Sequence, residues 1–310
     1  MYQHCNLNKE GASLITVITT NIGEKKGFFH RIIDYFRPLV SVKVRCYYPK
    51  FSYNLIHCSS RRTSELTSLI ASIPFGEIIT SDDISLPEKL KRYEVPALPF
   101  KQRITENTVR KLLEECHHTP HEQRLGIIDA DALCLEAAER FVKLCPNIKI
   151  VTNHPGIYKV FAREMLEEYG AVIMVSESPE TLADRTVIFC PSDYTWTKTP
   201  LCITAPILAA DKCSISGSCT VIDNLKPNLP AQFLDNVPTG ISPERFAQAV
   251  YRKHPDCFLR ECIAKSGTCL GKQSSIKDIS GYIKLNLQKV RSEPQNLKTD
   301  TLAEQTAFIP

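Results

Sequence analysis

At 310 residues, with 43% hydrophobic and 23% charged residues, the chain has the composition of a folded globular protein and room for two domains of ordinary size. No run approaches the ~18 apolar residues of a membrane span, and the first residues lack a basic segment followed by an apolar core, so neither membrane insertion nor a standard signal peptide is expected. The net charge of +4 divides into +5 over residues 1–120, −5 over 121–225 and +4 over 226–310, which offers no clustered basic track for a nucleic acid.

The thirteen cysteines are odd in number and scattered. Cys190 and Cys202 fall in apolar runs, and Cys134 and Cys145 share one amphipathic segment. Buried, reduced thiols are the reading this supports, and with them a reducing, cytoplasmic compartment.

Residues 12–83 read as a small α/β module. A β-branched run over 14–20 is of strand length. Residues 26–40 repeat Phe28, Phe29, Ile32, Ile33 and Phe36 at helical spacing. Two strands follow, 41–48 and 53–58, joined by a turn at Pro49-Lys50, then a helix over 63–73 and a short strand over 76–80. The order β-α-β-β-α-β fits a ferredoxin-like sandwich, with half of a doubly wound sheet as the alternative. Residues 84–120 are a proline-punctuated connector (Pro87, Pro96, Pro99) leading to a helix over 105–116 capped by Thr105.

Residues 121–225 carry the most regular pattern. Short apolar strands at 125–129, 148–152, 170–175, 186–190, 201–204 and 219–223 alternate with helical stretches at 130–144, 158–169 and 179–183 in the first part of the segment. Such alternation predicts a parallel sheet covered on both faces. Residues 226–291 read as helical, with Ser242-Pro243-Glu244 opening a helix that runs to about Lys265 and a further helix over 276–290. Residues 292–310 read as a flexible polar tail.

Three local features give residues 125–223 a likeness to a known family. Val151-Thr152-Asn153-His154-Pro155 follows the second strand, Glu168-Tyr169-Gly170-Ala171-Val172 precedes the third, and Leu182-Ala183-Asp184-Arg185-Thr186-Val187-Ile188 leads into the fourth. The layout resembles the Rossmann-type cofactor domain of shikimate dehydrogenase and glutamyl-tRNA reductase relatives, which implies a nucleotide fold with Asn153 near the adenosine end of a cofactor.

The glycine fingerprint of that family is missing. The first strand-to-helix turn reads Asp129-Ala130-Asp131-Ala132-Leu133, with no glycine for a close approach of backbone to pyrophosphate and with two carboxylates facing a dianion. Asp131 is placed to cap the next helix, and His154 stands where an arginine would meet a 2′-phosphate. Classical NAD(P) binding is therefore not expected, and no cofactor is predicted.

Asp129, Asp131, Asn153, His154, Ser176 and Ser192 fall at or just beyond the carboxyl ends of the expected parallel strands, where open α/β sheets place ligands. Each is also an ordinary turn or cap residue. Two carboxylates two residues apart could hold a divalent ion or serve as acid and base. Cys116, His117, His118 and His121 are the densest set of metal-ligand types, but their spacing is loose. His254, Cys257, Cys262 and Cys269 form a second set, with Cys257 and Cys262 about 140° apart on the expected helix. Cys213 and Cys219 could form a redox pair flanking the Ser214–Ser218 loop, without the Cys-x-x-Cys spacing that tunes a thiol.

The whole reads as an α/β protein: a parallel Rossmann-like sheet preceded by a small α/β module and followed by C-terminal helices. Two functions stay open. One is a ligand-binding or regulatory protein on a degenerate dinucleotide fold, with a small molecule or protein as partner. The other is an oxidoreductase-like enzyme acting on a small metabolite at the strand ends. A scaffold subunit is a third class.

Overall fold

The computed structural model describes residues 15–19, 39, 41–47, 49–58, 63–73, 76–115, 123–254, 257–281, 283 and 284. The helix expected over 26–40, the Cys116–His121 group, the end of the last helix and the 292–310 tail lie outside the described residues or largely so.

The N-terminal part comprises β1 (Ile15–Thr19), β2 (Ser41–Tyr47), β3 (Lys50–His57), α1 (Thr63–Ala71), β4 (Ile78–Thr80), α2 (Glu88–Lys91) and α3 (Leu98–Glu115). Next come β5 (Leu125–Ile128), α4 (Leu135–Val142), β6 (Asn147–Val151), α5 (Pro155–Tyr169), β7 (Val172–Ser176) and β8 (Val187–Cys190). The chain continues through β9 (Tyr194–Ala209), β10 (Cys213–Pro227), α6 (Ala231–Leu234), α7 (Pro243–Lys253), β11 (Ala264–Cys269) and β12 (Lys272–Ser275).

The first sheet has the order β2-β3-β1-β4. β1 runs parallel to both β3 and β4, and β2 is the antiparallel edge. A ferredoxin-like sandwich would set β1 antiparallel to its neighbours, so the half-doubly-wound alternative describes this module better. Every residue of β1 is buried, the pattern of a central parallel strand covered on both faces.

The second sheet has the order β12-β11-β10-β9-β8-β5-β6-β7. From β7 to β10 all pairings are parallel, and β11 and β12 add an antiparallel edge. The parallel part reproduces the doubly wound order 3-2-1-4-5-6, with its switch point between β5 and β8. The sequence pattern missed the β11–β12 hairpin, because Lys265, Ser266, Gly267, Gln273 and Ser274 give it no apolar alternation. Instead of running to Lys265, α7 stops at Lys253, one residue ahead of the His254-Pro255 step that disfavours helix. Cys257 and Cys262 accordingly flank a 3-10 turn, Phe258–Glu261, and do not lie on a helix. Helix α3 starts at Leu98, seven residues before the expected cap. Pro99 sits in its first turn, where a missing N–H is harmless, and Thr105 Oγ1 donates to Lys101 O inside the helix.

One face of the large sheet is covered by α3, α4 and α5, with Val109, Leu112, Phe141, Tyr158 and Met165 packed on Ile127, Ile150 and Phe189. The other face has an unusual cover. Parallel neighbours ordinarily need a crossover of a dozen or more residues, yet only Ala210, Asp211 and Lys212 separate β9 from β10. The strand therefore doubles back: Tyr194 N–H donates to Lys212 O and Ala210 N–H to Cys190 O, both at 2.9 Å. The Tyr194–Ile203 and Cys213–Cys219 stretches pair with each other where crossover helices would lie. Trp196, Leu201, Ile203 and Ile215 from these stretches cover Ile128, Val151 and Ile188.

The two sheets share helices. α3 gives Phe100 and Ile104 to a core with Ile15, Val17 and Tyr53, while α7 adds Phe246 and Val250. Polar contacts pin the same junction. Asn107 Nδ2 donates to Arg260 O and Cys262 O at 2.8 and 2.9 Å, and Ala264 N–H donates to Thr108 Oγ1 at 2.9 Å. No helix of the described residues is long and apolar enough to cross a membrane.

Candidate functional site at the strand ends

The carboxyl ends of β5, β6, β7 and β8 carry the six positions singled out above. Asp129 and Asp131 follow β5, Asn153 and His154 follow β6, Ser176 ends β7, and Ser192 follows β8. Backbone hydrogen bonds tie the turns together: Asp129 N–H to Val151 O, Asn153 N–H to Ala130 O, and Thr152 N–H to Ser176 O, at 2.9, 3.1 and 3.0 Å. Among the described residues no hydrogen bond joins the side chains of these six.

Their environments differ sharply. Asp129 is fully buried, whereas Asp131 is exposed, so the two carboxylates part and do not converge on one ion. Asp129 Oδ2 accepts the Tyr158 hydroxyl at 2.6 Å and Cys134 N–H at 2.8 Å, while Oδ1 accepts Leu133 N–H at 3.2 Å. Asp129 thus holds the turn that leads into α4; the N-cap of that helix is Cys134, without a side-chain cap bond, and not Asp131 as expected. The turn between them holds Ala132 at φ 55°, a left-handed conformation that glycine would adopt without strain. Leu133, the next residue, is 68% exposed.

Burial, and then the neighbouring Asp129 carboxylate, push the Tyr158 hydroxyl far above the usual phenol range. Cys134 is pushed up to about 12 by burial first and by Asp129 and Glu106 second. Both groups are held protonated as donors or neutral packing atoms, and neither is poised as a base.

Asn153 and His154 are exposed. His154 sits at the N-cap of α5 without a side-chain cap bond, and its N–H donates to Thr152 Oγ1 at 3.1 Å. Ser176 Oγ closes a local turn, accepting Ser178 N–H at 3.0 Å. Ser192 is different: it is 6% exposed, and its hydroxyl oxygen is buried with no hydrogen-bond partner among the described residues.

A small cleft of about 90 Å³ lies away from these turns, between α3, α7 and β10. Phe100, Ile104 and Leu225 give it apolar walls, and Lys101, Lys226 and Gln248 give it polar ones. Lys226 faces Glu244 at 3.6 Å, and Lys101 lies 4.0 Å from Asp211. Sequence reasoning missed this cleft, since its walls come from segments more than a hundred residues apart. It also missed Tyr158, read only as the first residue of a helical stretch.

No group of three or more His, Cys, Asp or Glu placed to hold a metal ion occurs among the described residues, and Cys116, His117, His118 and His121 lie outside them. The cysteines among the described residues are free thiols; Cys202, expected to be buried, is exposed. Cys213 does not pair with Cys219. It packs against the same apolar cluster as the buried Cys190.

No family model and no curated protein matches the chain. Among solved structures, the ligand-free form of 5-ketofructose reductase of Gluconobacter sp. strain CHM43 is similar over 90% of this chain and 99% of that chain, at 10% sequence identity and a TM-score of 0.31.

Proposed function

We propose that the protein is a ligand-binding or regulatory protein built on a doubly wound sheet whose first turn no longer serves a dinucleotide phosphate. What carries the reading is the Asp129 carboxylate, which takes the Leu133 and Cys134 N–H groups of the turn between β5 and α4. A pyrophosphate seated on that turn would compete with Asp129 for its amides and would meet a buried carboxylate.

Thermal shift against NAD, NADP, FAD, S-adenosylmethionine, ATP and divalent metals tests the reading. A ligand at about 100 times its dissociation constant stabilises by roughly 2.7 kcal/mol. No shift with the dinucleotides is the expected result. A dinucleotide shift abolished by Asn153→Ala would overturn it.

The second reading, an oxidoreductase-like enzyme acting on a small metabolite, is favoured by one observation. The unpartnered Ser192 hydroxyl lies at the end of β8, one of the two strands that form the switch point.

A further inference from the structure

β7 is the last strand of the large sheet among the described residues, and its outer edge is open. Val172 N–H donates to Pro146 O, and Ser176 O accepts Thr152 N–H, both at 3.0 Å. Residues 172, 174 and 176 thus turn their backbone groups inward to β6, and Ile173 and Val175 turn theirs to the edge. Edge strands are ordinarily blunted by a lysine, a proline or a bulge. β7 reads Val-Ile-Met-Val-Ser in unbroken register and has none of these. On the face away from α5 its side chains are bare: Val172 is 62% exposed and Met174 55%. The connection from β7 to β8 is only a 3-10 turn, Pro179–Leu182, so no crossover helix lies over them.

The adjoining flank of α5 continues this patch. Tyr169 faces α4, with Lys143 Nζ 5.5 Å from its ring centroid. The opposite flank, with Ile157, Val160 and Glu164 all exposed, therefore looks out past β7. The charges of α5 are sorted by sign along its length: Lys159 and Arg163 come first, then Glu164, Glu167 and Glu168. All five are exposed, and among the described residues none is in an ion pair.

We propose that β7 and α5 form a dimer interface with a second copy of this chain, the two β7 strands pairing antiparallel about a two-fold axis at Met174. Ile173 of each copy then exchanges main-chain hydrogen bonds with Val175 of the other, and Met174 meets its own symmetry mate. The large sheet continues across the axis, and neither copy keeps its open edge.

The charge order of α5 is what selects a second copy as the occupant. With rises of about 3.3 Å per residue in a strand and about 1.5 Å in a helix, Met174 lies level with about residue 164 of α5. An axis through Met174, perpendicular to the sheet, therefore passes α5 where its charge changes sign, between Arg163 and Glu164. The two α5 helices run antiparallel on one face of the joined sheet. Arg163 of one copy then stands against Glu164 of the other, and Lys159 against Glu168. Strand and helix are self-complementary about the same axis, as an isologous interface requires.

The interface stands apart from the ligand-binding reading and is tested separately. Sedimentation of the full-length protein over a concentration series should show a reversible equilibrium between monomer and a species of twice the 34.9 kDa chain mass. Met174→Lys sets like charges on the axis and should leave a monomer with an unchanged circular dichroism spectrum. Should that variant fail to fold, exposed helix residues decide. Arg163→Glu and Glu164→Arg should each weaken self-association by at least about tenfold, because each brings like charges together. An equimolar mixture of the two restores both pairs of opposite charge and should form a heterodimer with wild-type affinity. The proposal is overturned by any of three results: a monomer at every concentration, a dimer that folded Met174→Lys leaves intact, or a mixture that associates no better than its components.

Discussion

The hydroxyl of Tyr158 donates to the carboxylate of Asp129 across 2.6 Å, with both side chains fully buried. The bond joins the turn after β5 to the first helical turn of α5, and Asp129 also holds the turn that leads into α4. Removing the carboxylate strands one hydroxyl and two amides. Asp129→Ala should destabilise by about 2–4 kcal/mol and Tyr158→Phe by about 1–2, with the double variant losing less than the sum. Urea denaturation of the three variants measures this.

Alkaline stability should depend on the same pair. Folding raises the Tyr158 pKa above its ordinary value of 10.0, so the folded state holds this proton more tightly. Its contribution is complete below about pH 10 and is lost as pH rises beyond that. Cys134, raised from 9.0 to about 12, adds a loss that begins near pH 9. Denaturation midpoints measured from pH 8 to 11 should fall, and the fall should be shallower in Tyr158→Phe.

At the acid end the group to watch is Asp184. Burial alone would raise its pKa, but hydrogen bonds from Arg185 and Lys149 outweigh burial and hold it at about 2, below its ordinary 3.8. The stabilisation is present above about pH 4 and disappears as pH falls through 2. Asp184→Asn should be less stable at neutral pH and should lose less on acidification. Identical acid limbs for variant and wild type would sink the assignment.

Ala132 offers the opposite test, a stabilising change. An alanine at φ 55° carries left-handed strain of about 1–2 kcal/mol. Glycine relieves that strain but adds about 0.4–1 kcal/mol of unfolded-state entropy. Ala132→Gly should therefore raise stability by about 0.5 kcal/mol, visible as a small increase in Tm. Gly217 predicts the reverse. It has φ 118°, and a Cβ there would come within 2.1 Å of Leu201 O, so Gly217→Ala should disrupt the β9–β10 pairing and lower Tm sharply.

The buried Glu106 is the hinge of a further ion cluster. It accepts Arg103 at 3.0 Å from its own helix and Arg140 at 2.5 Å from α4. Glu106→Gln removes the charge that two guanidinium groups share and should destabilise by about 3 kcal/mol. Arg140→Lys should cost less, since a cation remains within reach of the carboxylate.

How far the sequence revealed all this depended on what each segment is packed against. The strands at Leu125, Ile148, Val172 and Val187 are apolar runs with a helix or turn after each, and their order followed from that alone. β9 and β10 were visible only where Leu201, Ile203, Val221 and Ile222 form apolar runs. Their outer halves, rich in Thr and Ser, send only scattered side chains such as Trp196 and Ile215 onto the sheet and otherwise pair with each other. The hairpin of β11 and β12 adds to the edge of β10 through backbone hydrogen bonds, which leave no apolar signature. At the strand ends the sequence named Asp129 and Ser192 but expected Asp131 to cap α4, whose N-cap is Cys134. Which carboxylate turns inward depends on Tyr158, and that partner stands 29 residues away along the chain.

Helix α3 has a consequence for how the molecule comes apart. Its first half closes the core of the small sheet and its second half closes the core of the large one. A protease cut between α3 and β5 would sever the chain without freeing either piece, because the upstream fragment keeps the helix that the downstream sheet needs. Two fragments divided there should copurify and melt together in a single transition, and neither should hold its fold when expressed alone.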